Sequence, residues 1–254
     1  MFAVSSLVLV TGLAFQAGAP VRQASADVVA SARDPAPSAL TPEMRGDIMM
    51  ARKMYRDALD YYKPGAEKSA VLANKAGIAY HQLQDLVNAR KYYEKAIKLN
   101  PRYAEAINNL GTIFYARKSY RRAIEQYKKA LRITPDSASI LSNLGTAYFA
   151  RKNYMEASKV YERALALDPE VFERRSSQGT LLQDQSVEER AKFHYYLAKT
   201  YAHAGVKDRT ILYVRKALEE GFKDRDKFTK EPEFAFLQDD PEFKELLATE
   251  QKVL

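Results

Sequence analysis

Residues 104–137 read AEAINNLGTIFYARKSYRRAIEQYKKALRITPDS, and residues 138–171 read ASILSNLGTAYFARKNYMEASKVYERALALDPEV. Laid on one another without a gap they share 14 of 34 residues, including Asn-Leu-Gly-Thr and Ala-Arg-Lys-x-Tyr. Residues 70–103 fall into the same register. Small residues recur at the eighth and twentieth places as Gly77/Ala89, Gly111/Ala123 and Gly145/Ala157. Tyr93, Tyr127 and Tyr161 recur at the twenty-fourth, followed by Ala96, Ala130 and Ala164 and then by Pro101, Pro135 and Pro169. A fixed period of this length marks stacked units, each of which buries its apolar face only against its neighbours.

Each unit reads as two helices. Ile107, Leu110, Gly111 and Phe114 make one apolar stripe at helical spacing, and Ala123, Tyr127, Ala130 and Leu131 make a second. The polar Ala-Arg-Lys-Ser segment between them is a turn. Thr134-Pro135-Asp136 closes the second helix, because proline lacks the amide hydrogen and disfavours a helical residue before it. Small Gly and Ala let the helices approach, and the tyrosine fills the space between units. This pattern resembles the tetratricopeptide repeat, whose signature places all three segments carry. The resemblance implies an all-α, right-handed superhelical solenoid of helical hairpins, used to bind other proteins.

Two degenerate copies extend the array. Residues 43–69 keep the spacing with Gly46, Met49, Tyr55, Ala58 and Tyr62, then run through a shortened Lys63-Pro64-Gly65 link. Structure is expected to start at Thr41-Pro42-Glu43, a capping Thr with proline at the first helical position. Residues 191–224 form a fourth unit through Leu197, Ala198, Tyr201 and Ala217, departing at Thr210 and Phe222. Residues 172–190 are an insertion, from which Ser186-Val187-Glu188-Glu189 starts the next helix as a capping box. The tail, 225–254, has two acidic-Pro helix starts at Pro232 and Pro241. Phe228, Phe234, Phe236, Leu237, Phe243, Leu246 and Leu247 are suited to cover the last unit's apolar face.

The chain's first segment is of another kind. Phe2 to Phe15 is an apolar run with no charge before Arg22. It suits a signal-peptide core and is short for a membrane span of about 20 residues. Ala24-Ser25-Ala26 fits a cleavage site, so 1–26 reads as a signal peptide and 27–42, rich in Ala, Ser and Pro, as a disordered linker. No Lys or Arg precedes the apolar run, which departs from the signal pattern and leaves an uncleaved anchor open as the alternative.

Composition excludes much chemistry. Of 254 residues 46% are apolar and 28% charged, as in folded chains, with no Cys and three His. Thiolate nucleophiles, disulfides and cysteine metal sites are therefore excluded. His81, His194 and His203 have no partner at metal-helix spacing, and no phosphate loop or nucleophile elbow occurs. The expectation is a non-enzyme with no cofactor, no metal and no small-molecule substrate, whose partner is another protein.

Two surfaces are candidates for that partner. On the first helices, the places flanking the buried stripe carry Asn74, Asn108, Asn109, Thr112, Tyr115, Asn143, Thr146 and Phe149. Stacking would set Asn109 beside Asn143 and Thr112 beside Thr146, outside the core, where amides could bond an extended peptide's backbone. Exposed polar residues with no ligand are the plain alternative. Asn74 and Ile78 do not match the carboxylate clamp of some family members. The second surface is a basic rim of Arg117, Lys118, Arg121, Arg122, Arg151 and Lys152 within a chain of net charge +8. Residues 43–137 carry +9 of this and residues 225–254 carry −3. Such an edge suits an acidic protein, nucleic acid or another polyanion, a lipid surface, or simply solvent. Export would remove nucleic acid. N-terminal sequencing of the protein from its native host is expected to read from Asp27. A soluble chain beginning at Met1 would overturn both cleavage and export.

Overall fold

A computed structural model describes residues 40–173 and 186–248. The signal and linker assignments, apart from residues 40–42, and most of the 172–190 insertion lie outside the described residues. Helices pair in sequence order: α1 (Pro42–Ala51) with α2 (Tyr55–Tyr62), α3 (Ala70–Gln82) with α4 (Leu86–Leu99), and α5 (Ala104–Ala116) with α6 (Tyr120–Leu131). The series continues with α7 (Ala138–Ala150) and α8 (Tyr154–Leu167), then α9 (Val187–His203) and α10 (Lys207–Glu219). Each hairpin packs on the next, so the architecture is an all-α solenoid, with no strand among the described residues.

Local chemistry sets the boundaries. Thr41 caps α1 by accepting from the Met44 amide at 3.1 Å, with Pro42 in the first turn. Ser69 and Ser137 cap α3 and α7 in the same way. Ser186 and Glu189 form a reciprocal capping box, which starts α9 four residues ahead of the repeat register. Lys63-Pro64-Gly65 is a short 3-10 turn that takes the place of a full inter-unit link.

The central packing constraint lies inside each hairpin. A Cβ built on Gly77 would stand 2.6 Å from the Tyr93 ring, and one on Gly111 would stand 2.6 Å from Tyr127. Gly46 with Tyr62 and Gly145 with Tyr161 repeat the fit. All four tyrosines are at most 1% exposed. Only a residue without a side chain lets the tyrosine ring lie across the first helix. In the last unit the same two places are Ala198 and Val214, both fully buried. The smaller partner leaves room for the extra methyl group.

The C-terminal segment closes the stack with α11 (Lys227–Lys230), a 3-10 turn at Pro232–Leu237 and α12 (Pro241–Ala248). Phe228, Phe234, Leu237 and Phe243 are at most 1% exposed. Tyr195 stacks on Phe222 at 4.4 Å, and Phe228 meets both rings edge-on or tilted at 5.6 Å. Phe236 departs from the expected cap: it is 48% exposed, because a 3-10 turn cannot direct Phe234, Phe236 and Leu237 to one side.

Gly111→Ala is expected to destabilise the protein by about 1–3 kcal/mol through overpacking, and Tyr127→Ala by about 3–5 kcal/mol through the cavity it leaves. In a Tyr127→Val background the Gly111→Ala cost should shrink, reproducing the Ala198/Val214 pair. Urea unfolding of the four proteins checks this, and strictly additive costs would refute the fit.

Candidate functional site

The turn inside each hairpin has one backbone design. Lys53, Gln84, Lys118 and Lys152 take left-handed φ values of 60°, 61°, 56° and 61°, and Gly205 takes 70° at the same place in the last unit. The Lys118 amide donates to the Tyr115 carbonyl and the Ser119 amide to the Phe114 carbonyl, both at 2.8 Å, closing the first helix of the unit. A lysine there costs about 1 kcal/mol relative to an ordinary conformation. The stretch Ala-Arg-Lys-x-Tyr thus turns the chain and sets its lysine at the edge of the stack.

Three such turns line a concavity of about 420 Å³. Its walls follow the repeat period. The twelfth places supply His81, Tyr115 and Phe149; the fifteenth, Gln84, Lys118 and Lys152; the seventeenth, Leu86, Tyr120 and Tyr154. Ser186, Glu188, Glu189 and Lys192 of the α9 start close one end. Tyr115 and Tyr120 lie 5.2 Å apart as tilted rings, and Phe149 and Tyr154 repeat that pair at 5.2 Å. Tyr196 stacks on Tyr154 at 4.8 Å and Phe193 packs edge-on against Phe149 at 5.3 Å, so the floor is rigid. Burial holds the His81 pKa below its usual value, so the imidazole is neutral at neutral pH and the cavity's cations are lysines. A second, shallower hollow of about 320 Å³ is lined by Lys118, Ser119, Tyr120, Arg121, Arg122 and Arg151.

The asparagines lie elsewhere than expected. Asn109 donates to the Asn74 side-chain oxygen at 3.0 Å, and Asn143 donates to that of Asn108 at 3.0 Å. Asn108 reaches Asn109 at 3.4 Å, and Asn74 donates to Glu105 at 3.0 Å. The result is a continuous amide chain from α3 through α5 to α7. Asn109 therefore pairs with Asn74, and Asn143 with Asn108, one place away from the expected Asn109–Asn143 rung. Neighbouring first helices are staggered, so a residue faces the one 35 positions on. Asn74 and Asn143 are buried, which overturns the expectation that Asn143 stands outside the packing, while Asn108 and Asn109 are half-buried.

The threonines are also occupied internally. The Tyr127 hydroxyl donates to Thr112 Oγ1 at 3.4 Å and the Tyr161 hydroxyl to Thr146 Oγ1 at 3.3 Å. Thr112 and Thr146 in turn donate to the Asn108 and Ser142 carbonyls. Tyr115 and Phe149 are buried yet form the cavity floor. The rim residues Arg117, Lys118, Arg121, Arg122, Arg151 and Lys152 are all exposed. Tyr120, Tyr154 and Leu86 were missed as site residues, although their recurrence at the seventeenth place was visible in the sequence. Among the described residues no group of three His, Asp or Glu could hold a metal. His194 instead meets Glu220 at 2.6 Å, with Arg190 on the same carboxylate at 3.2 Å. No described helix is long and apolar enough to cross a membrane.

Family comparison agrees with this geometry. Models described as TPR repeat match residues 77–116 and 111–150, and one described as Tetratricopeptide repeat matches 138–171. Residues 77–171 of the chain are thus tetratricopeptide repeats. A comparison with curated protein sequences finds no match. Among solved structures, a crystal structure of MamA is 20% identical with a TM-score of 0.48, covering 69% of this chain and 93% of that one. MamA from Desulfovibrio magneticus RS-1 is 21% identical with a TM-score of 0.49, covering 69% and 90%. YrrB, titled a TPR protein with an unusual peptide-binding site, is 16% identical with a TM-score of 0.47, covering 72% and 86%.

The amide chain makes a stability prediction. Asn109→Ala should cost about 1–3 kcal/mol by leaving the buried Asn74 oxygen without its donor. The Asn74→Ala/Asn109→Ala double variant should cost less than the sum of its parts by about 0.5–1.5 kcal/mol. Equilibrium unfolding of the cycle measures the coupling, and a value of zero would exclude the bond.

Proposed function

We propose that this protein is a non-catalytic adaptor that binds an extended segment of another protein in the 420 Å³ concavity across its three regular repeats. The observation that carries this reading is the periodic wall. Three consecutive units each contribute their twelfth, fifteenth and seventeenth places, and the second and third offer a linear ligand similar surroundings. Rigid aromatic rings offer apolar area at little entropic cost, and Lys118 and Lys152 supply polar partners at the mouth. The tetratricopeptide fold supports protein interaction in general; the groove and its mode are our reading. The candidate set narrows accordingly to Tyr115 and Phe149 with Lys118 and Lys152. Asn74, Asn108, Asn109, Asn143, Thr112 and Thr146 act behind this surface by holding the helices in register. The N-terminal apolar run supports action outside the cytoplasm, as an exported scaffold.

Filling the cavity tests the proposal. Ala116 lines the concavity and is exposed, so Ala116→Trp should occupy it with little change in melting temperature. Peptides selected from a random display library on the unaltered protein should bind this variant at least about tenfold more weakly, a difference of about 1.4 kcal/mol. Undiminished binding would place the ligand site elsewhere on the stack.

A further inference from the structure

The basic rim is densest on the second unit and is not a general property of the repeat. Arg117, Arg121 and Arg122 occupy places that are Leu83, Val87 and Asn88 in the first unit and Arg151, Met155 and Glu156 in the third. The fold does not require the cations, since the same turn forms with Leu83 and Gln84. Their charge is also uncompensated: no described carboxylate pairs with Arg117, Lys118, Arg121, Arg122, Arg151 or Lys152. Several cations toward the two ends of the stack are matched. Lys75 bonds Glu43 and Asp47, Lys199 bonds Glu231 and Glu233, and Arg215 bonds Glu242 at 2.8 Å. The acidic tail is therefore engaged within its own end of the molecule, through Lys207–Asp240 and Lys244–Asp239 as well.

Position gives the unpaired charge a use. Lys118 and Tyr120 line both hollows, so the deep aromatic concavity and the shallow cationic one share a wall. Arg122 lies over the Phe114 ring at 5.8 Å from its centroid, which orients its guanidinium on the edge. On either side of Arg121, the equivalent places carry Val87 and Met155, 72% and 68% exposed.

We infer that the two hollows form one bipartite site for an acidic extended peptide, with an aromatic or large apolar side chain in the deep concavity and a following run of carboxylates over Arg121, Arg122 and Arg151. The apolar side chain packs on Tyr115, Tyr120 and Phe149. Lys118 pairs with the first carboxylate beyond it. An acidic peptide fits better than a nucleic-acid duplex or a membrane surface, because the cations are continuous with a cavity sized for side chains, which a rod or a plane cannot enter. Opposite charge on an exposed edge chiefly speeds association and selects partners, and it weakens with salt. This inference rests on the concavity being the ligand site.

The probe is a fluorescein-labelled peptide with one phenylalanine followed by a run of glutamates, read by anisotropy. Its controls carry glutamines for the glutamates or alanine for the phenylalanine. The parent peptide is expected to bind, and each control to bind at least about tenfold more weakly. An Arg121→Ser/Arg122→Ser/Arg151→Ser variant should lose about tenfold or more for the parent peptide, retain its melting temperature, and bind the glutamine control unchanged. Equal binding of parent and glutamine peptides overturns the acidic specificity while leaving the concavity reading intact. Equal binding of the parent peptide to Ala116→Trp overturns the concavity reading itself. No binding of the parent peptide, or tighter binding of heparin that disappears steeply with salt, overturns the inference in favour of another occupant or a general polyanion surface.

Discussion

The structure depends on one close fit: a tyrosine ring from the second helix of each unit lying against a glycine of the first. The ring fills the volume that a side chain at the glycine would need, so the two helices approach closely and at the same place in every regular unit. From this spacing follow the packing of successive hairpins and the repetition of their turns. The last unit reaches a similar packing with a larger first partner and a smaller second, Ala198 and Val214. Total volume is conserved where identity is not, as close-packed interiors require. The tyrosine hydroxyls are not left idle, since Thr112 and Thr146 accept from them. Burial raises the pKa of Tyr127 and Tyr161 far above the usual phenol range, so both remain neutral donors.

A second level of order runs along the stack. The amide chain through Glu105, Asn74, Asn109, Asn108 and Asn143 joins three first helices; all its contacts run between neighbouring units except Asn108–Asn109, which lies within one helix. Buried amides are costly when unpaired, so the chain penalises any slip between units. It turns residues that look like ligand-binding groups into a register device. The twelfth, fifteenth and seventeenth places instead line the cavity, with left-handed Gln84, Lys118 and Lys152 beside its aromatic rings.

Charge completes the division of labour. Ion pairs hold part of the charge at each end of the stack, through Lys75 at one end and Lys199, Lys207 and Arg215 at the other. Among the described residues, no carboxylate pairs with the six rim cations of the second and third units. Exposed ion pairs contribute little to stability, so leaving these cations unmatched costs the fold little. Their charge adds a positive local potential beside the cavity.

The repeat, its two helices per unit, the capping of α1 and α9 and the aromatic cover of the last unit were all legible in the sequence. They rest on local rules: helical spacing, proline and serine at helix starts, and a period that brings equivalent residues together. The Tyr127 burial followed from the same pattern. The candidate site was legible only in part. Tyr115, Phe149, Lys118 and Lys152 could be named from the sequence, but the hydrogen bonds that Asn109 and Asn143 make to Asn74 and Asn108, and the burial of Asn143, could not. Their pairing depends on a stagger between neighbouring helices, and a one-place offset cannot be read from an alignment that superposes equivalent positions. Nor could the sequence show that Tyr120 and Tyr154 turn toward the cavity, or that the tail's acids are already bonded. Sequence by itself determined what each unit is and the order in which units stack. Tertiary structure alone decided which polar groups satisfy one another and which remain unpaired, because that depends on distances between side chains roughly a repeat or more apart in the chain.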